Sequence, residues 1–226
     1  MEPLVAPEHD RESVLTLHQK AKEGGFFPKW PIATGEAGTM IGASAEVVLA
    51  DAWLKGVKDF DAEGAYTLLR AAAMDPVAPP GGRGGRGDVE PYMKLGYVPA
   101  ERGVSVSLTT EYANDDLALA ALAEGLGHMA DAKALRTRAQ GYLKLLDPET
   151  GFLWGKKADG SWSSDHSDPT NFGDEFDEAN AFQSLWMVAL DIDALAAAYG
   201  GKEKLVLRLV ELFEKGKEDF DQLDPA

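Results

Sequence analysis

Apolar residues recur three and four positions apart along most of this chain, and alternating β-branched runs are nearly absent. That period belongs to helices with one buried face and leaves little material for a sheet. Residues 10–23 give a first helix, ended by Gly24 and Gly25. Ser44 can cap a second, AEVVLADAWLKGV, and Asp61 a third, AEGAYTLLRAAAM, which Asp75-Pro76 stops. Residues 107–127 end at Gly127, and residues 130–147 return after a short turn, as an αα-hairpin does. An apolar helix over 178–198 and an amphipathic one over 202–220 complete the series. Sequential hairpins of this kind predict an all-α fold, either a solenoid or an α/α toroid. No short exact repeat is visible, and long aromatic loops separate the helices, which favours a toroid-like arrangement with a functional end.

At 226 residues the chain is long enough for one good core, so residues 1–226 are expected to form a single helical domain. PVAPPGGRGGRGD (76–88) is its most flexible stretch. The glycines there follow no strand and end in no Lys-Ser/Thr pair, so they are not a phosphate loop. A formal charge of −16 disfavours nucleic acid and anionic membrane surfaces as partners. The chain has no cysteine, which excludes disulfides, thiolate metal sites and a cysteine nucleophile. Its four histidines, at 9, 18, 128 and 166, lack ligand spacing, and no metal ligands are assigned. MEPLVAPEHDRES has neither the basic nor the apolar part of a signal peptide, and no apolar run of ~18 residues occurs. A soluble chain is expected.

Chemistry concentrates in the acidic run DEFDEAN (174–180), which opens the apolar helix. If that helix is buried on nearly all sides, the carboxylates at its mouth face a cleft, and burial would raise the pKa of Glu178 enough to make it a proton donor near neutrality. The plainer reading makes Asp177 an N-cap and Glu178 a first-turn acid. Glu111 and Asp115, at i and i+4 in TEYANDD, share a helical face, where like charges repel unless a partner or a task holds them. Asp115 and Asp116 can also be a solvated first turn, whereas Glu111, beside Tyr112, is expected to point inward. Asp51 is better read as a structural acid than as a cleft residue. Phe26, Phe27, Trp30, Trp154 and Trp162 fall in loops, where they can cover helix ends or stack on sugar rings.

Seven segments in order, GFFPKWP, EAGTMIG, VVLADAWLKGVKDFD, GYVP, SLTTEYANDD, LLDPETGF and EANAFQ with a later GG, resemble the catalytic domain of glycoside hydrolase family 92. The family comprises calcium-dependent, inverting exo-α-mannosidases, and the resemblance covers nearly the whole chain. It implies an (α/α)6 barrel, here incomplete, and a terminal α-mannoside or other glycan as ligand. By motif match, Glu178 takes the role of the general acid. Asn180 matches the motif, and Trp30, Glu111, Asp115 and Trp154 are expected to line or support the sugar site. The departures are Ala179 and Phe182 for the motif's Gly and Trp, and Ala43-Ser44 where an Asp-His-like pair faces substrate. The family's later Asn-Glu-Pro segment, associated with calcium, and its general-base aspartates have no counterpart before Ala226. Inversion needs a donor and a base with carboxyls ~6.5–9.5 Å apart, so little hydrolysis is expected from this chain alone. A full-length member is expected to be periplasmic or secreted. The competing expectations are a noncatalytic helical module that binds carbohydrate or protein, and a bare fragment whose exposed apolar faces drive self-association.

Overall fold

The computed structural model describes residues 5–32, 35–75, 85–163 and 168–223. Most of the stretch expected to be flexible, residues 76–84, lies outside them, as does His166. The α-helices, in chain order, are α1 (Pro7–Gly24), α2 (Ala45–Leu54), α3 (Ala62–Met74), α4 (Val89–Leu95), α5 (Ser105–Leu126), α6 (Met129–Ala139), α7 (Ala181–Ser184), α8 (Ile192–Ala198) and α9 (Lys202–Leu223). Strand among the described residues is limited to the two-residue ladder of β1 (Pro31–Ile32) and β2 (Gly35–Glu36), with isolated bridges at Leu146–Leu153 and Lys156–Trp162. The all-α, hairpin-built class expected from the period is the one observed.

Several helix ends follow the local chemistry. Gly25, at φ 80°, returns its N–H to the Ala21 carbonyl and closes α1. Asp61 accepts from the Gly64 N–H at 2.9 Å and starts α3. Ser44 precedes α2 but makes no side-chain cap.

The helix that is buried on nearly all sides is α5, not the segment at 178–198. Its C-terminal half packs into a core shared with α1, α2, α3 and α6. Val106 and Ala113, nearer its start, enter a second core built from Phe152, Trp154, Phe176, Phe182 and Leu185. One helix thus spans both cores.

Residues 178–198 form no continuous helix. The chain makes the single turn α7, breaks, passes through a 3-10 turn at Ala189–Asp191 and resumes as α8. A break frees backbone groups that must find partners. Asn114 of α5 provides them: its amide nitrogen donates to the Met187 carbonyl and its Oδ1 accepts from the Leu190 N–H. A polar side chain on the central helix replaces two intrahelical bonds. Leu190 and Ile192 are left exposed, so this segment is half-buried.

Candidate active site

The start of α5 organises the site. Its first N–H groups have no partner within the helix, and the backbone of the acidic run supplies carbonyls. Val104 donates to the Asp174 carbonyl at 2.6 Å, and Val106 to that of Glu175 at 3.0 Å. In return Ser107 Oγ accepts from the Asp177 N–H at 2.9 Å. Further along the run, the Glu175 carboxylate accepts from the Gly155 N–H at 2.7 Å. A Cβ on Gly155 would lie 2.6 Å from that carboxyl carbon, so a side chain there would displace the Glu175 carboxylate.

Asn180 fixes the other end. Its side chain accepts from the Gln183 N–H, the Gln183 side chain accepts from the Asn180 N–H, and the Asn180 amide donates to the Thr170 carbonyl. Between these anchors Glu178 is exposed and adopts φ 49°. Val104 and Met40 also take left-handed backbone, at φ 35° and 67°. Such conformations cost on the order of 1–3 kcal/mol each and persist where neighbours impose them.

Loop 38–44 packs on the Glu111–Asp115 face of α5. Gly42, at φ 77°, brings backbone against Glu111; a Cβ would sit 2.9 Å from Glu111 Oε2. Ala43 donates its N–H to Asp115 Oδ2 at 2.8 Å. The Glu111–Asp115 face therefore receives this loop, which answers how two like charges coexist at i and i+4. Burial, then the charge of Asp177, raises the Glu111 pKa. Burial also pushes Asp115 well above the ordinary carboxylate value. Lys29 donates to the Met40 carbonyl at 3.2 Å, and burial lowers its pKa despite Glu36 and Asp115. Glu36 gathers the N–H groups of Lys29, Trp30 and Gly38.

The sequence-predicted residues thus separate. Glu111 and Asp177 come together, with Glu178 next in the chain. Trp30, 47 % exposed, is free to stack. Asp115 is 1 % exposed and holds the loop rather than facing a ligand. Trp154 is 5 % exposed in the second core, its indole N–H on Thr150 Oγ1, so it is no sugar platform. Asp51 pairs with Lys55 on the surface of α2. Glu178 is exposed, not buried at the mouth of a covered helix as the sequence reading expects.

Asp116 was legible only as a possible solvated acid, and it lies fully buried in a network. Arg86 bridges Asp116 and Glu46; Arg138 meets both Asp116 oxygens at 2.6 and 2.7 Å; the Tyr92 hydroxyl donates to Asp116. Arg86, from the end of the glycine-rich stretch, is the one partner Glu46 has in this network. Burial pushes Glu46 up to about 7 although Arg86 pulls it down.

Raised carboxyls have a direct consequence for stability. The unfolded chain releases the Glu46 proton near its ordinary value of 4.5, the folded chain only at about 7, so stability is greatest below that window and declines as pH rises through it. Asp115 and Glu111 act in the same direction. Thermal unfolding should therefore give a higher midpoint at about pH 5 than at about pH 7.5, with a smaller difference in Glu46→Gln. A midpoint that rises over this interval would refute the assignment.

The described residues contain no group of three or more acidic or histidine side chains able to hold a metal ion. No such group therefore marks a place among them for the calcium that the resemblance implies. No helix among them is long and apolar enough to cross a membrane.

Residues 1–224 match the model of the glycosyl hydrolase family 92 catalytic domain. The chain belongs to glycosyl hydrolase family 92. Among solved family 92 structures, an inverting mannosidase of Bacteroides thetaiotaomicron superposes with a TM-score of 0.83 at 34% identity, covering 90% of this chain and 27% of that one. An alpha-mannosidase of the same organism, in complex with mannoimidazole, gives 0.81 at 30% identity, covering 92% and 28%. An uncharacterized secreted glycosidase of Arthroderma benhamiae is 27% identical over 88% of this chain. The chain spans 30% of that relative's length.

Proposed function

We propose that this chain carries the proton-donor side of a family 92 site that hydrolyses terminal α-mannosides with inversion, Glu178 being the acid. The observation that carries the reading is the suspension of Glu178: an exposed carboxylate on left-handed backbone, held between the Ser107 anchor and the Asn180 capping box. A proton donor has to reach a glycosidic oxygen, and a rigidly mounted exposed carboxyl can do so. Trp30 offers a stacking surface, Glu111 a neighbouring carboxyl, and Asp115 and Asn180 position the walls. The mannosidase neighbours, one of them binding mannoimidazole, support a mannoside as ligand. No ligand among the described residues and no step is assigned to calcium.

Titration of the chain with mannose and an α-1,2-mannobiose, followed by assay for released mannose, tests this. Binding without appreciable release is expected, and Trp30→Ala should weaken it by about tenfold. No binding would sink the reading for this chain. Binding indifferent to Trp30 and Glu178 would move the ligand elsewhere.

The isolated chain is also proposed to self-associate. Val206, Val210 and Phe213 lie on one face of α9 and are 56%, 47% and 71% exposed. Sedimentation should show mass increasing with concentration, and Val210→Lys should shift the chain toward monomer. A monomer at every concentration would contradict this.

A further inference from the structure

Away from the Glu178 site, one cavity runs against the charge of the whole chain. It measures about 820 Å³ and opens between α4, α6 and the 3-10 turn at Gln140–Leu145. Lys94, Lys133, Arg138 and Lys144 line it, and no Asp or Glu does among the described residues. The chain holds 38 acidic against 22 basic side chains, so an average lining would be acidic. The minority charge is gathered here.

Its walls are fixed. Lys144 Nζ donates to the Leu95 carbonyl at 2.6 Å and ties the 3-10 turn to the end of α4. Gly141 meets Gly96 backbone to backbone; a Cβ on Gly141 would lie 1.9 Å from the Gly96 oxygen. Arg138 spends its donors on Asp116 and the Ala73 carbonyl, so it anchors the wall and is largely neutralised. Lys94 and Lys133 are exposed, and their ammonium groups make no hydrogen bond or ion pair among the described residues. Met74, Met93 and Leu135 add apolar lining beside them.

We propose that this cavity binds a small organic phosphate monoester. Its phosphate would lie between Lys94 and Lys133, with the remaining Lys144 donors in reach, and its organic part against Met74, Met93 and Leu135. Lysine ammoniums bind phosphate as flexible point charges and need no bidentate fork. Without Asp, Glu or His in the lining no carboxylate or imidazole is at hand to activate water against the ester, so the site binds and does not turn over. The cavity exceeds what inorganic phosphate fills, which is why the ligand is organic.

Phenyl phosphate is the probe, titrated calorimetrically into the chain beside inorganic phosphate and phenol. The expected result is binding at one site, tighter than either comparison compound and weakened by added salt. Lys94→Glu and Lys133→Glu, each checked for unchanged circular dichroism, should each lower affinity by about tenfold or more. Absence of binding up to about 10 mM would overturn the proposal. So would affinity unchanged in both reversals, or inorganic phosphate binding as tightly as phenyl phosphate. A polyglutamate peptide that binds where phenyl phosphate does not would overturn it in favour of a surface for an acidic protein segment.

Discussion

Replacing Arg86 by methionine is expected to destabilise the chain by about 3–5 kcal/mol, read as a lower urea midpoint. Arg86 is fully buried between Glu46 and Asp116. Methionine replaces much of the volume, so a cavity is not the main cause. The loss comes from what stays behind: Glu46 loses the cation it is hydrogen-bonded to, while Asp116 keeps Arg138 and the Tyr92 hydroxyl. Burying an unpaired carboxylate is costly, and part of that cost can be avoided by protonation, since Glu46 already titrates at about 7. The loss should therefore be larger at about pH 8 than at about pH 5. Adding Glu46→Gln to Arg86→Met should recover part of it, because the second change removes the stranded charge. A loss under about 1 kcal/mol would show that the network does not hold the fold.

With this chain joined to the rest of a family 92 catalytic domain, Glu178→Gln should reduce kcat on an alkyl α-mannoside by about 10²–10⁴-fold. An alkoxide is a poor leaving group and must be protonated as it departs. A dinitrophenyl α-mannoside leaves without that help, so its hydrolysis should fall far less. The contrast between the two substrates separates proton donation from binding or folding, which would lower both alike. Equal losses on both would remove Glu178 from the acid's role. Asp177→Asn supplies the companion test: its N–H anchors to Ser107 through backbone, so the side-chain change keeps the mount while lowering the Glu111 pKa.

Helix positions were largely readable because their cause is local. Gly25, Asp61, Gly127 and the Asp75-Pro76 step act within a few residues, and apolar spacing marks the faces between them. The acidic run and the paired carboxyls of α5 also stood out by type and spacing. The break after Ser184 did not, since its cause is Asn114, about seventy residues earlier in the chain. An unbroken apolar run looks like a helix until a distant amide supplies the alternative hydrogen bonds.

The buried network was hidden for the same reason. Glu46, Arg86, Asp116 and Arg138 sit on separate segments, and each alone resembles a surface charge. Trp154 looked like an open loop tryptophan because the Phe176 ring that packs against it comes from a later segment of the chain. The sequence by itself determined the helical class, most helix ends, the acidic run and the family. Tertiary structure decided which helix lies at the centre, which carboxyls are buried and which tryptophan stays open. Burial and charge pairing arise from contacts between distant segments, and no local period encodes them.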